Sequence, residues 1–171
     1  MKKLPGLFAL LILFQPASSQ PEPLTDIHRP PLTIYVNFLG EGSLLSVNAE
    51  KLLLNGRIVF LTGAAGVGFN NQLQLCLSGP CEENPNDFVT VPHHVTICIG
   101  KGAHYLEAGA GGTVVFGNTS QHYIPFPVAG YRLHPLQTRG FFLRLSFTYP
   151  LVRELEDIVW VPYGLSIGMS F

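Results

Sequence analysis

Residues Tyr163-Gly-Leu-Ser-Ile-Gly-Met-Ser-Phe171 alternate without a break between large apolar and small side chains. Tyr163, Leu165, Ile167, Met169 and Phe171 share one face, and Gly164, Ser166, Gly168 and Ser170 share the other. A period of two is the signature of a β-strand. A strand covering a water-soluble core would set charges opposite its apolar face, whereas here the opposite face is small and uncharged. This suits the wall of a narrow barrel, with lipid outside and a crowded interior.

The same alternation recurs along the chain. Phe141, Leu143, Leu145, Phe147 and Tyr149 oppose Phe142, Arg144, Ser146 and Thr148, and Leu45, Val47 and Ala49 oppose Ser46, Asn48 and Glu50. Ile34, Val36 and Phe38 oppose Thr33, Tyr35 and Asn37. Eight strand-like segments are expected, at 32–40, 43–53, 57–69, 88–99, 103–117, 129–135, 140–149 and 163–171. No helical period intervenes. Asn55-Gly56, Gly100-Lys101-Gly102 and the stretch 136–139 mark tight turns at one end, Asn-Gly being a strong two-residue hairpin signal. Longer connections at 70–87, 118–128 and 150–162 gather at the other end, where only Gly40-Glu41-Gly42 is short. Short turns at one rim and long loops at the other characterise outer-membrane barrels. Two local features resist the pattern. Pro92 cannot donate to a ladder, so a bulge or broken pairing is expected around Pro92-His93-His94. Ile58 to Leu61 are apolar on both faces.

Composition agrees. Charged residues make up 12% of the 171-residue chain, against about 25% in ordinary soluble domains. Lys2 and Lys3, the apolar run Leu7–Phe14 and the small residues Ala17-Ser18-Ser19 form a secretory signal peptide over residues 1–19. Residues 20–31, with Pro21, Pro23, Pro30 and Pro31, read as an extended Pro-rich leader. Residues 32–171 then form a single barrel domain. With Lys2 and Lys3 set aside, 8 basic residues face 11 acidic ones, which argues against a nucleic-acid partner. No later run approaches the roughly 18 apolar residues of a transmembrane helix.

Glu50, Glu107, Arg132 and Arg144 fall on the inward face by parity, with Asn37, Asn48 and His134 nearby. Charges in a narrow lumen must pair, so these residues are expected to form an interior polar cluster, a structural plug or, more sharply, a gate or proton path. Cys76 and Cys81 lie in the longest loop and are expected to form a small disulfide in an oxidising compartment; the spacing lacks the paired ligands of a metal site. Cys98 is expected to be buried. Gly63-Ala-Ala-Gly-Val-Gly68 lacks the Lys-Ser/Thr of a phosphate loop and reads as close packing. Ser120, His122 and Glu82 carry no spacing that supports a hydrolytic triad, and no catalytic, cofactor or metal residues are assigned. Acidic loop residues, among them Glu82, Glu83, Asp87 and Glu154, leave open a surface contact with lipopolysaccharide through divalent cations.

The terminal YGLSIGMSF resembles the C-terminal assembly signal of outer-membrane proteins. Gly100-Lys-Gly-Ala-His-Tyr-Leu-Glu-Ala-Gly-Ala-Gly-Gly112, Gly130-Tyr-Arg-Leu-His-Pro135 and Arg139-Gly-Phe-Phe-Leu-Arg144 resemble small uncharacterised outer-membrane barrels of Gram-negative bacteria. The resemblance covers about residues 32–171. It implies an eight-stranded antiparallel up-and-down transmembrane β-barrel, contact with outer-membrane lipid and lipopolysaccharide, and handling by the barrel-assembly machinery. That group carries no agreed activity, which leaves a structural, surface-interaction or adhesion role. The competing expectation is a soluble exported barrel that binds an apolar ligand inside; an outer-membrane lipid hydrolase ranks below both.

Overall fold

The computed structural model describes residues 28–71, 87–136, 139–152, 155 and 158–171. Eight strands run β1 Leu32–Phe38, β2 Leu45–Asn55, β3 Val59–Asn71, β4 Asp87–Lys101, β5 His104–Phe116, β6 Tyr123–Leu133, β7 Gly140–Thr148 and β8 Tyr163–Ser170. Each pairs antiparallel with its sequence neighbours, and β8 pairs with β1 through Val36↔Ile167 and Asn37↔Ser166, closing the barrel. Closure leaves no sheet edge. The connections 56–58, 102–103 and 134–139 gather at one rim, the turn end; 39–44, 72–86, 117–122 and 149–162 gather at the other, the loop end.

Side-chain parity follows the alternation. Tyr35, Phe60, Phe126 and Phe142 point in and are buried, while Leu106 is 68% and Val67 61% exposed on the outer wall. In β3 the ambiguity resolves with Phe60 and Thr62 inward and Val59 outward. Gly66, from the glycine-rich run, packs against β2: a Cβ there would lie 2.0 Å from Asn48 Oδ1.

One expectation needs correction, and two local features are resolved beside it. β6 begins at Tyr123, not 129, so the loop expected at 118–128 shrinks to 117–122. Pro125 and Pro127 are tolerated because their missing N–H groups point to the β7 side, where pairing starts only at Val128↔Thr148. The carbonyl of Pro125, on that same side, accepts from Leu151 N at 2.8 Å. At Pro92 the expected break in pairing is present and the alternative, a bulge, is not. The β4–β5 register runs straight through Pro92↔Thr113, and the β3–β4 ladder skips only the positions between Ala65↔His93 and Gly68↔Thr90. The bulge is in β2, between Leu52 and Leu54. The last residues before β1 pack on the barrel, Arg29 and Pro30 being buried under the turn end. Residues 1–27, which include the stretch expected to be a signal peptide, lie outside the described residues, as do Cys76 and Cys81.

Candidate functional site

The lumen holds the charges. Arg132 of β6 donates from Nη1 to Glu50 Oε1 at 2.7 Å, from Nη2 to Glu50 Oε2 at 3.1 Å and from Nε to Glu107 Oε2 at 2.7 Å. Arg144 of β7 takes the other Glu107 oxygen, Nε to Oε1 at 2.6 Å, and reaches Glu41 Oε1 with Nη1 at 2.8 Å. His94 Nδ1 lies 3.2 Å from the same Glu41 oxygen. The result is one continuous chain, Glu50–Arg132–Glu107–Arg144–Glu41–His94, with every member at most 4% exposed. Burying such charges costs several kcal/mol per ion unless geometry and hydrogen bonds compensate; bidentate guanidinium–carboxylate contacts provide that compensation.

Of the residues assigned to this cluster, Glu50, Glu107, Arg132 and Arg144 form the chain itself. Asn37 is buried beside it, donating to Leu39 O and accepting from Ser166 Oγ at 2.8 Å. Asn48 donates to Ser46 Oγ at 2.9 Å. His134, just past the end of β6, packs its ring against Phe60 and Phe142 and makes no direct ion pair with the chain. Burial and the neighbouring Arg132 push it down to about 4, so it is neutral at pH 7.

Sequence parity missed three members. His94 faces inward by the same count that buries Cys98. Glu41 is absent from any strand pattern because it comes from the β1–β2 connection. Leu39, Gly40, Glu41 and Gly42 are all left-handed, at φ 62°, 72°, 53° and 70°, and this run turns the Glu41 side chain down into the lumen. Left-handed backbone costs roughly 1–2 kcal/mol at each non-glycine residue; the contacts of the buried carboxylate offset it. Burial alone would raise the Glu41 carboxyl, but His94 and Arg144 hold it well below the usual carboxylate range. A glutamate between two glycines was the available signal. Arg29 is the third. It closes the turn end by donating to Asn55 Oδ1 at 2.5 Å, Gly56 O at 2.6 Å and Tyr105 Oη at 3.0 Å, with its guanidinium over the rings of Phe60 and Tyr105.

At the loop end Phe88, Val115, Ile124 and Ile158 form an apolar cluster, joined by Val152, Leu155 and Trp160 from the 149–162 connection. The lumen is therefore filled from both rims. No group of three or more metal-ligating side chains occurs among the described residues. No family model, curated protein or solved structure matches the chain. The resemblance to small outer-membrane barrels accordingly rests on the sequence motifs alone.

Proposed function

We propose that this chain is an eight-stranded barrel of a Gram-negative outer membrane, with a structural or surface-contact role and no open pore. One observation carries the reading: the composition of the outer wall. Across all eight strands, the outward positions short of each strand's terminal residues hold a single Lys, Arg, Asp or Glu, namely Lys51, which pairs with Leu32 at the turn-side start of β1. The remainder are almost entirely apolar, far beyond the few hundred Å² that soluble monomers leave in one patch. Aromatic residues mark both rims, with Phe38, Phe69, Phe116, Tyr123, Phe147 and Tyr163 toward the loops and Tyr131 and Phe141 toward the turns. Such girdles frame the apolar band of membrane barrels. A polar, ion-paired interior supports the same reading and leaves little for an apolar ligand to occupy.

The test is fractionation and gel mobility. The protein should sediment with outer membranes, require detergent for extraction, and migrate faster unboiled than boiled. Recovery from the soluble periplasmic fraction with no mobility shift would overturn the proposal.

A further inference from the structure

We infer that the outer wall carries a binding groove for one phospholipid of the turn-side leaflet, with an anionic headgroup at Lys51; the inference rests on the membrane reading above. The groove encloses about 550 Å³ across β1 to β5. Cross-strand register shows its course. One row runs Leu32↔Lys51↔Gly63↔Val95↔Ala110, and the next runs Ala49↔Ala65↔His93↔Gly112. Leu32 is the first residue of β1, at the turn end, whereas Ala110 and His93 lie near the middle of β5 and β4. The groove thus climbs from the rim to mid-wall. Ala49, Gly63, Ala65 and Ala110 lie side by side on adjacent strands and recess the wall here, between larger outward residues such as Val47, Val67, Ile97 and Leu106.

The two ends differ in chemistry. Lys51 at the rim is exposed and has no carboxylate partner among the described residues, beside a turn end that also carries Arg57, Lys101 and Arg139. A lysine there complements a lipid phosphate and can extend to the headgroup level. From the loop-side start of β6, Tyr123 reaches across β5 to meet His93 at the middle of β4, with Nε2 and Oη 3.2 Å apart and the rings stacked. Gly112 makes this possible, since a Cβ there would lie 2.1 Å from Tyr123 Oη. By bonding to each other the two side chains satisfy their polar atoms at a depth where unpaired ones are expensive. They present a flat aromatic wall where an acyl chain would end. Charge at the rim, a recessed apolar track and continuity with the lipid-facing wall all fit a phospholipid.

The experiment reconstitutes wild type, Ala65→Leu and Lys51→Gln into phosphatidylethanolamine vesicles containing a minor fraction of phosphatidylglycerol. Each is extracted in mild detergent, and retained lipid is counted by native mass spectrometry. Wild type should keep one phospholipid and favour phosphatidylglycerol about fivefold, the contribution of one basic residue at an anionic surface. Ala65→Leu fills the track and should lose the lipid; Lys51→Gln should keep a lipid without headgroup preference. All three should show the heat-dependent gel shift. Equal retention in wild type and Ala65→Leu, or none in either, overturns the groove while the shift upholds the membrane reading. A wild-type mass of two protein chains, lost in Ala65→Leu, also overturns it by assigning the surface to self-association. Absence of the shift in wild type removes both readings together.

Discussion

Glu107 is held by two guanidiniums, one on each oxygen, and is the residue on which the buried chain turns. Replacing it with Gln leaves Arg132 with Glu50 and Arg144 with Glu41, but removes the charge that keeps the two cations apart. Breaking a buried pair by removing one partner costs about 3–5 kcal/mol. Glu107→Gln should therefore unfold at markedly lower urea than wild type in detergent, as read by loss of the gel-shifted form. His134 makes a different prediction. Its folded-state value of about 4 lies below the ordinary 6.5, so the folded barrel binds fewer protons than the unfolded chain. Stability is then full above pH 6.5 and falls as pH drops toward 4, by up to about 3 kcal/mol at 1.36 kcal/mol per pH unit. His134→Phe, which suits the rings of Phe60 and Phe142, should flatten the urea midpoint across that interval. A wild-type midpoint that does not move between pH 7 and 4 would refute the assignment.

Among the elements, β6 tests how proline is placed. Pro125 and Pro127 lie beyond the ladder with β7, while Ala129 lies within it, opposite Phe147. Pro125→Ala should be nearly neutral, whereas Ala129→Pro should cost on the order of 1–3 kcal/mol for the unpaired carbonyl it leaves. Denaturant midpoints of the two variants give the comparison. The same strand shows where the sequence was legible and where it was not. Period-two alternation identifies a strand wherever one face is small or charged, as in β7 and β8. It fails at Tyr123–Val128, where two prolines imitate a loop and the deciding fact, the point at which β7 departs, belongs to a different segment. Likewise Glu50, Glu107, Arg132 and Arg144 could be gathered from parity alone, because each sits on a strand. Glu41 and Arg29 could not, since they enter the lumen from connections whose path depends on backbone torsions and on a finished barrel.

For the molecule as a whole, a filled lumen forbids bulk flow. Arg29 closes the turn end, the ion-pair chain fills the middle, and Phe88, Ile124 and Ile158 pack at the loop end. Eight strands leave an interior that side chains fill, whereas aqueous channels need about sixteen. Purified protein in planar bilayers should give no stable single-channel steps, and large steps would contradict the described packing. The outer wall makes the complementary prediction. Ile167→Arg places a charge mid-wall on β8 and should cost about 2–4 kcal/mol, while its inward neighbour Ser166, fully buried against Asn37, should tolerate Thr far better. Equal urea midpoints for the two variants would mean that the wall faces water.

The sharing of carboxylates across distant strands also imposes a chronology. Glu41 leaves the β1–β2 connection early in the chain, yet Arg144, its partner, belongs to the seventh strand. Until β7 arrives, Glu41 has only His94 and one oxygen of Glu107 has no guanidinium, so a partly wound sheet must keep its concave side wet. Drying of the lumen and the meeting of β1 with β8 then become one event rather than successive ones. Pulse-labelled hydrogen exchange during refolding would see it as simultaneous protection of Val36 and Arg144 amides, late and all-or-none.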